Sequence, residues 1–182
     1  SIRNGKREIP YSLVTAIDPV AYERLKGGPP AGAAHPVLLN DWAAMDLGAK
    51  PGDTITLEYY RWREEGQLAT ETANFQVDGV VTLSGAADDR EYAPDYPGIT
   101  EAKSLADWDP PFPVDLNRVR PRDEEYWNRH RTTPKAFILL SEGQALWQTR
   151  YGSLTSIRLI PPAGSDFAGE QAVFAQRMRK SL

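Results

Sequence analysis

The amino-acid sequence predicts an α+β fold, a mixed sheet with helices packed on one face. Three observations predict it. Apolar runs of strand length recur along the chain, the longest being Ala136-Phe137-Ile138-Leu139-Leu140. Capped helical stretches stand between those runs, and a hairpin pattern follows Pro51. With 182 residues, 41% apolar and 25% charged, the chain has a globular composition and enough length to bury a core.

The elements follow in order. Tyr11–Ile17 is the first strand candidate, entered from Pro10 and stopped at Asp18-Pro19. Residues 26–36 are rich in Gly and Pro and read as a loop, after which Pro36–Leu39 forms a short buried strand. Asn40 or Asp41 can accept a bond from a free backbone N–H and so cap a helix over Trp42–Leu47. Gly48 ends that helix, because glycine tolerates the left-handed conformation there. Pro51-Gly52-Asp53 turns the chain into a long strand, Thr54–Trp62. Glu64-Glu65-Gly66 turns it back into Leu68–Leu83, which completes a β-hairpin. Gly79 interrupts the second strand, which points to a bulge or a close backbone approach.

Residues 84–123 differ in character. Nine acidic residues and six prolines crowd this stretch, with Tyr92, Tyr96, Trp108 and Phe112 as its aromatic anchors. One short helix near Thr100–Ala106, capped by Thr100, is expected there. The rest reads as an elaboration packed on the core. Pro121–Arg131 predicts a charged helix anchored by Tyr126 and Trp127, and Lys135–Leu140 a strand. Ser141 is the expected cap of a helix over Glu142–Trp147. Leu154–Ile160 alternates as a strand does. Pro161-Pro162-Ala163-Gly164 breaks the chain before a last helix capped by Ser165 or Asp166. On that helix Phe167, Phe174, Met178 and Leu182 share a face, and Arg177, Arg179 and Lys180 suit its C-terminal end.

Several function classes are disfavoured by composition. The net charge of −4 leaves no basic footprint for nucleic acid. With no cysteine there are no disulfides, thiolate metal sites or cysteine nucleophiles. No apolar run approaches the roughly 20 residues that cross a bilayer. The chain opens at Ser1 without an initiator Met or signal peptide, as expected of a segment of a longer protein.

Specific chemistry finds little support. The acids Asp88, Asp89, Glu91, Asp95, Asp107 and Asp109 offer oxygens for calcium, but the EF-hand order is absent and solvated loop charge explains them. His35 and His130 read as surface histidines, with Arg129 and Arg131 flanking the latter. Ser84 and Ser153 lack a nucleophile-elbow context, and no phosphate-binding loop of the ATPase type is present. Tyr59, Tyr60 and Trp62 lie on one strand. Tyr59 and Trp62 are expected on one face and Tyr60 on the other, one set packing in the core and the other offering a partner or lipid surface. Trp108, Trp127 and Trp147 read as core anchors.

Residues 36–83 carry a resemblance. Val37-Leu38-Leu39-Asn40-Asp41-Trp42-Ala43 leads to Leu47-Gly48-Ala49-Lys50-Pro51-Gly52-Asp53-Thr54-Ile55-Thr56-Leu57, and later to Phe75-Gln76-Val77-Asp78-Gly79-Val80-Val81. A second stretch runs from Ala136 through Leu146-Trp147 and Gly152 to Leu159. In order, spacing and turn residues these resemble the periplasmic core domain of FtsX/MacB-type ABC-transporter permeases. They cover about half of the chain, and residues 84–134 look like the Pro/Trp/Asp-rich insertion of a long-permease subgroup.

The resemblance implies two lobes. A porter-like lobe would combine residues 1–33 with 150–182, and a sabre-like lobe would span 34–149. It also implies a site between two transmembrane helices, facing the periplasm or cell exterior of a bacterial cell membrane. The partners would be the remainder of the permease and its cytoplasmic ABC ATPase, with a periplasmic protein or lipid-linked cargo beyond, and no nucleic acid. The expected function is mechanical and non-enzymatic, without cofactor or metal, and rests on the turn residues Gly48, Gly52, Asp53 and Gly79. Two other readings stand beside it: a secreted carbohydrate-active or hydrolytic domain using carboxylates of the acidic insertion, and an adaptor that binds a partner protein through exposed aromatics.

Overall fold

The computed structural model describes residues 1–63, 66–110, 112–150, 152–158, 164 and 166–181. Seven strands form one mixed sheet in the order β2-β1-β5-β6-β4-β7-β3. The strands are β1 (Ile2–Asn4), β2 (Arg7–Ile9), β3 (Val14–Ile17), β4 (Pro36–Asn40), β5 (Thr54–Trp62), β6 (Leu68–Val81) and β7 (Ala136–Leu139). The helices are α1 (Pro19–Lys26), α2 (Asp41–Leu47), α3 (Pro121–His130), α4 (Leu140–Trp147) and α5 (Phe167–Ser181). The α+β class therefore holds.

The centre of the sheet is fixed by two-sided burial. Leu38 and Leu39 are adjacent on β4, point to opposite faces and are both fully buried. Each such side chain contributes about 1.5–3 kcal/mol, so the strand cannot slip by one residue without exchanging both faces. On one face Val37, Leu39, Ile55, Leu57 and Ile138 pack against Ala43, Ala44 and Leu47 of α2 and against Leu146 and Trp147 of α4. On the other, Leu38, Phe137 and Ile17 pack against Tyr22 and Leu25 of α1. Helices thus cover both faces, a correction to the one-sided arrangement expected. The extra layer is α1, whose start lies in Asp18-Pro19. The Asp18 side chain accepts from the N–H groups of Val20 and Ala21, and Pro19 occupies the first turn, where its missing donor costs nothing. The same dipeptide that stops a strand here begins a helix.

The hairpin β1–β2 also escaped prediction, since three-residue strands show no period. It pairs Ile2 with Ile9 and joins β5 through Ile2 and Leu57. Meanwhile β3 pairs in parallel with β7. One sheet thus unites strands from residues 1–33 with those from 34–149, the two segments assigned above to separate lobes. The helix α4 lies close on β3. A Cβ on Gly143 would stand 2.2 Å from that of Ala16, so only glycine permits the approach.

Three further expectations need correction. Helix Thr100–Ala106 is replaced by a single 3-10 turn over Leu105–Asp107, because Asp107 accepts from the N–H and hydroxyl of Ser104 while Thr100 closes a turn onto Tyr96. Ser141 lies inside α4 and does not cap it. Leu154–Arg158 is exposed and forms no strand; its alternation finds no partner strand, and Arg158 instead reaches Asp89 at 2.7 Å and covers the Tyr92 ring. The last helix forms where it was expected, with Asp166 accepting from Ala168 N–H at its start, and its Phe167 and Met178 stay exposed. Glu64, Glu65, Leu159–Ala163, Ser165 and Leu182 lie outside the described residues. Among the described residues no helix is long and apolar enough to cross a membrane.

Candidate functional site

The four turn residues sit where the resemblance is carried. Gly48 closes α2 with φ 58°, its N–H shared between the carbonyls of Ala44 and Met45. Gly52 has φ 94° and donates to Val77 across the mouth of the hairpin. The Asp53 carboxylate accepts from Lys50 N–H at 3.0 Å, and its carbonyl accepts from Val77 N–H. These bonds tie the α2–β5 connection to β6 and leave the backbone no alternative turn. At Gly79 the ladder with β4 shifts register: Val37 pairs with Val77 and Leu38 with Gly79. A Cβ on Gly79 would meet the Leu38 side chain at 3.1 Å, so both anticipated causes operate together.

The shift makes Asp78 the extra residue, and its side chain is fully buried. Its carboxylate accepts from the Lys26 ammonium, the Tyr22 hydroxyl at 3.1 Å and Ala31 N–H at 2.8 Å. Burial alone would push the carboxyl up. The bonds from Lys26, Ala31 and Tyr22 outweigh it and hold Asp78 below the usual carboxylate range. A single bulge residue therefore fastens α1 and the Gly/Pro loop to the sheet. Sequence reasoning missed Asp78, although a glycine bulge in Val-Asp-Gly-Val was the available signal.

A second junction lies beyond β4. Asn40 is fully buried and caps α2 by accepting from Ala43 N–H at 2.8 Å. Its amide donates to the Tyr126 hydroxyl at 2.9 Å and to the Pro134 carbonyl at 3.1 Å. Tyr126 in turn donates to the Thr133 carbonyl. Burial, partly offset by the Asn40 amide, pushes the tyrosine hydroxyl well above its ordinary pKa.

Lys135 projects its ammonium over the Tyr126 and Trp42 rings, 4.6 and 5.2 Å from their centroids. Burial pushes its pKa down to about 8; Asp123 and Asp46 oppose that and Arg120 adds to it. The unfolded lysine keeps its proton up to about pH 10.4, so above pH 8 the unfolded state binds more protons than the folded one. Stability is expected to rise between about pH 8 and 10, until buried tyrosines begin to oppose it. Urea melts across that window should slope upward, and Lys135→Met should flatten them.

The aromatic surface is arranged differently from expectation. Pairing of β5 with β6 is unbroken from Thr54 to Trp62. Side chains repeat every two residues, so Tyr60 and Trp62 share one face and Tyr59 takes the other. Tyr59 packs edge-on against Trp147 at 5.9 Å, on the side of Ile55 and Leu57. Tyr60 leans on Phe112 at 5.4 Å, and Trp62 is 59% exposed. Trp127 is the fully buried anchor of the insertion, stacked edge-on with half-buried Trp108.

The acidic insertion spends its carboxylates locally. Asp88 pairs with His130 at 2.8 Å, Asp89 with Arg158, Asp107 with Ser104 and Asp115 with Asn117. His130 is consequently half-buried between Asp88 and the Tyr126 ring, whereas His35 lies exposed beside Glu142. Among the described residues, no three His, Cys, Asp or Glu side chains gather as a metal-ligand group. No protein-family model matches this chain, and no curated protein matches it.

Proposed function

We propose that this chain is the extracytoplasmic domain of an FtsX/MacB-type ABC-transporter permease, a coupling module without chemistry of its own. The observation that carries the reading is the segment 36–81. Its family-like positions Asn40, Gly48, Gly52, Asp53 and Gly79 are all positions that fix backbone geometry or bury a polar bond between elements. Residues with that role suit a body that must move without deforming, since packed cores switch between arrangements and do not bend continuously. In this reading ATP binding by the cytoplasmic partner moves the permease helices, and the sheet passes that motion outward. The exposed end of β5, at Trp62, is where cargo or a periplasmic partner would be met.

Because the chain contains no cysteine, a single Trp62→Cys substitution gives it one labelling site. In intact cells carrying the full-length protein, a membrane-impermeant maleimide should label Trp62→Cys and spare the parent at this segment. Labelling that requires lysis of the inner membrane would contradict the proposal.

A further inference from the structure

The outer edge of the sheet carries a groove of about 510 Å³. Lys6 and Arg7 of the β1–β2 hairpin form one wall, and Arg118, in the turn before α3, with Arg120 and Arg122 at the start of α3, forms the other. Among the described residues, Glu8 and Asp46 are the acids that line it. Five cations thus face two carboxylates, in a chain whose net charge is −4. Behind them Asp123 pairs with Arg120, and Glu58 lies 3.7 Å from Arg118 and shares Arg3 with Glu8. With Asp123, Glu58 and Arg3 counted, six cations meet four carboxylates, a local excess of two positive charges.

The cations are held in place with donors to spare. Asp46, its side chain 4% exposed, takes both Arg120 and Arg122. Asp123 fixes Arg120 from behind through Nε at 2.8 Å, and Glu8 holds Arg118. The Arg122 Nε is buried and bonded to nothing among the described residues. Among those residues, neither the Lys6 nor the Arg7 side chain makes a hydrogen bond or ion pair. Arg7 lies across Gly48, its Nη1 2.6 Å from where a Cβ would stand. There the C-terminal end of α2 attracts the guanidinium electrostatically without consuming its N–H donors. Arg120 is the N-cap of α3 and Arg122 stands in its first turn, so the positive end of that helix adds to the same field.

We propose that this groove binds a phosphate-monoester group. An excess of more than one positive charge suits a dianion better than a carboxylate, and guanidinium forks match phosphate oxygens in pairs. The volume admits a headgroup attached to the phosphate as well as the phosphate itself. Two sources share this chemistry, a soluble phosphate ester and the headgroup of an anionic lipid. The site stands on the groove alone and does not depend on the permease reading.

Calorimetric titration of the 182-residue chain with sn-glycerol 3-phosphate tests it, alongside sedimentation with vesicles of phosphatidic acid or phosphatidylcholine. Saturable binding of one glycerol phosphate per chain is expected. Arg7→Ala should weaken it about tenfold, the effect of losing one charge-assisted donor. The fold should survive that change, because Arg7 has no bonded partner to orphan; an unchanged circular dichroism spectrum verifies it. Capture on phosphatidic acid vesicles, reversed by glycerol phosphate and absent with phosphatidylcholine, identifies a lipid headgroup. Binding of the soluble ester without vesicle capture identifies a soluble ligand, and both results support the site. The proposal is overturned if neither probe binds, or if binding is the same in Arg7→Ala and in Arg122→Ala as in the parent.

Discussion

Asn40→Ala is expected to lower the unfolding free energy by about 3 kcal/mol, from the loss of a helix cap and the stranding of two buried partners. The side chain accepts from Ala43 N–H and donates to Tyr126 and Pro134, and none of these bonds is open to water. Water cannot replace the lost amide without entering a fully buried position, so the orphaned groups bear their full desolvation cost. Asn40→Asp separates the two contributions. It keeps the cap but places a carboxylate against the Pro134 carbonyl, where only a donor is tolerated. Urea denaturation should rank the parent above both variants, with Asn40→Asp no better than Asn40→Ala at neutral pH. A loss below about 1 kcal/mol for Asn40→Ala, the value of a cap alone, would show that the link to α3 carries nothing.

Asp78→Ala is expected to cost about as much, near 3 kcal/mol, the lower end of the range for breaking a buried pair. The lower end applies because the Lys26 side chain keeps 17% of its exposure and can regain some hydration. Removal leaves the Tyr22 hydroxyl and Ala31 N–H without an acceptor and frees the loop that follows α1. Adding Lys26→Met should recover part of the loss, since it removes the unpaired cation. The pH dependence has a definite sign. Asp78 is depressed in the folded state, so its contribution is present above the unfolded carboxylate pKa of about 3.9 and fades as pH falls through the folded value. Acid titration of the parent should show that loss, and Asp78→Ala should show less of it.

What could be read from the sequence was what is local. The helix α2 was recovered with its cap and its glycine stop, and Thr54–Trp62 was recovered as a strand with the same bounds, because each signal spans only a few residues. The bulge at Gly79 was legible for the same reason. The hairpin Ile2–Ile9 was not, since β1 is held by pairing with β5, which begins about fifty residues later, and β2 pairs among the described residues only with β1. The double role of Asn40 was hidden likewise: the cap is a neighbour effect, but its other partners lie 86 and 94 residues away. Leu154–Arg158 erred in the opposite direction, since alternation marks two faces but does not supply a partner strand. The basic groove escaped because Lys6 and Arg7 meet Arg118–Arg122 only through the fold, and the overall negative charge conceals them.

Force passes through a domain only if it does not open along its own seams, and the seam in question runs between residues 1–33 and 34–149. Native-state hydrogen exchange on the chain measures this directly. Amides of β1, β3, β4, β6 and β7 should open with one shared free energy, matching that from urea denaturation, as strands of one cooperative sheet do. If the β1 and β3 amides instead exchanged through a separate opening of much lower free energy, the rigid coupling body proposed here would be contradicted.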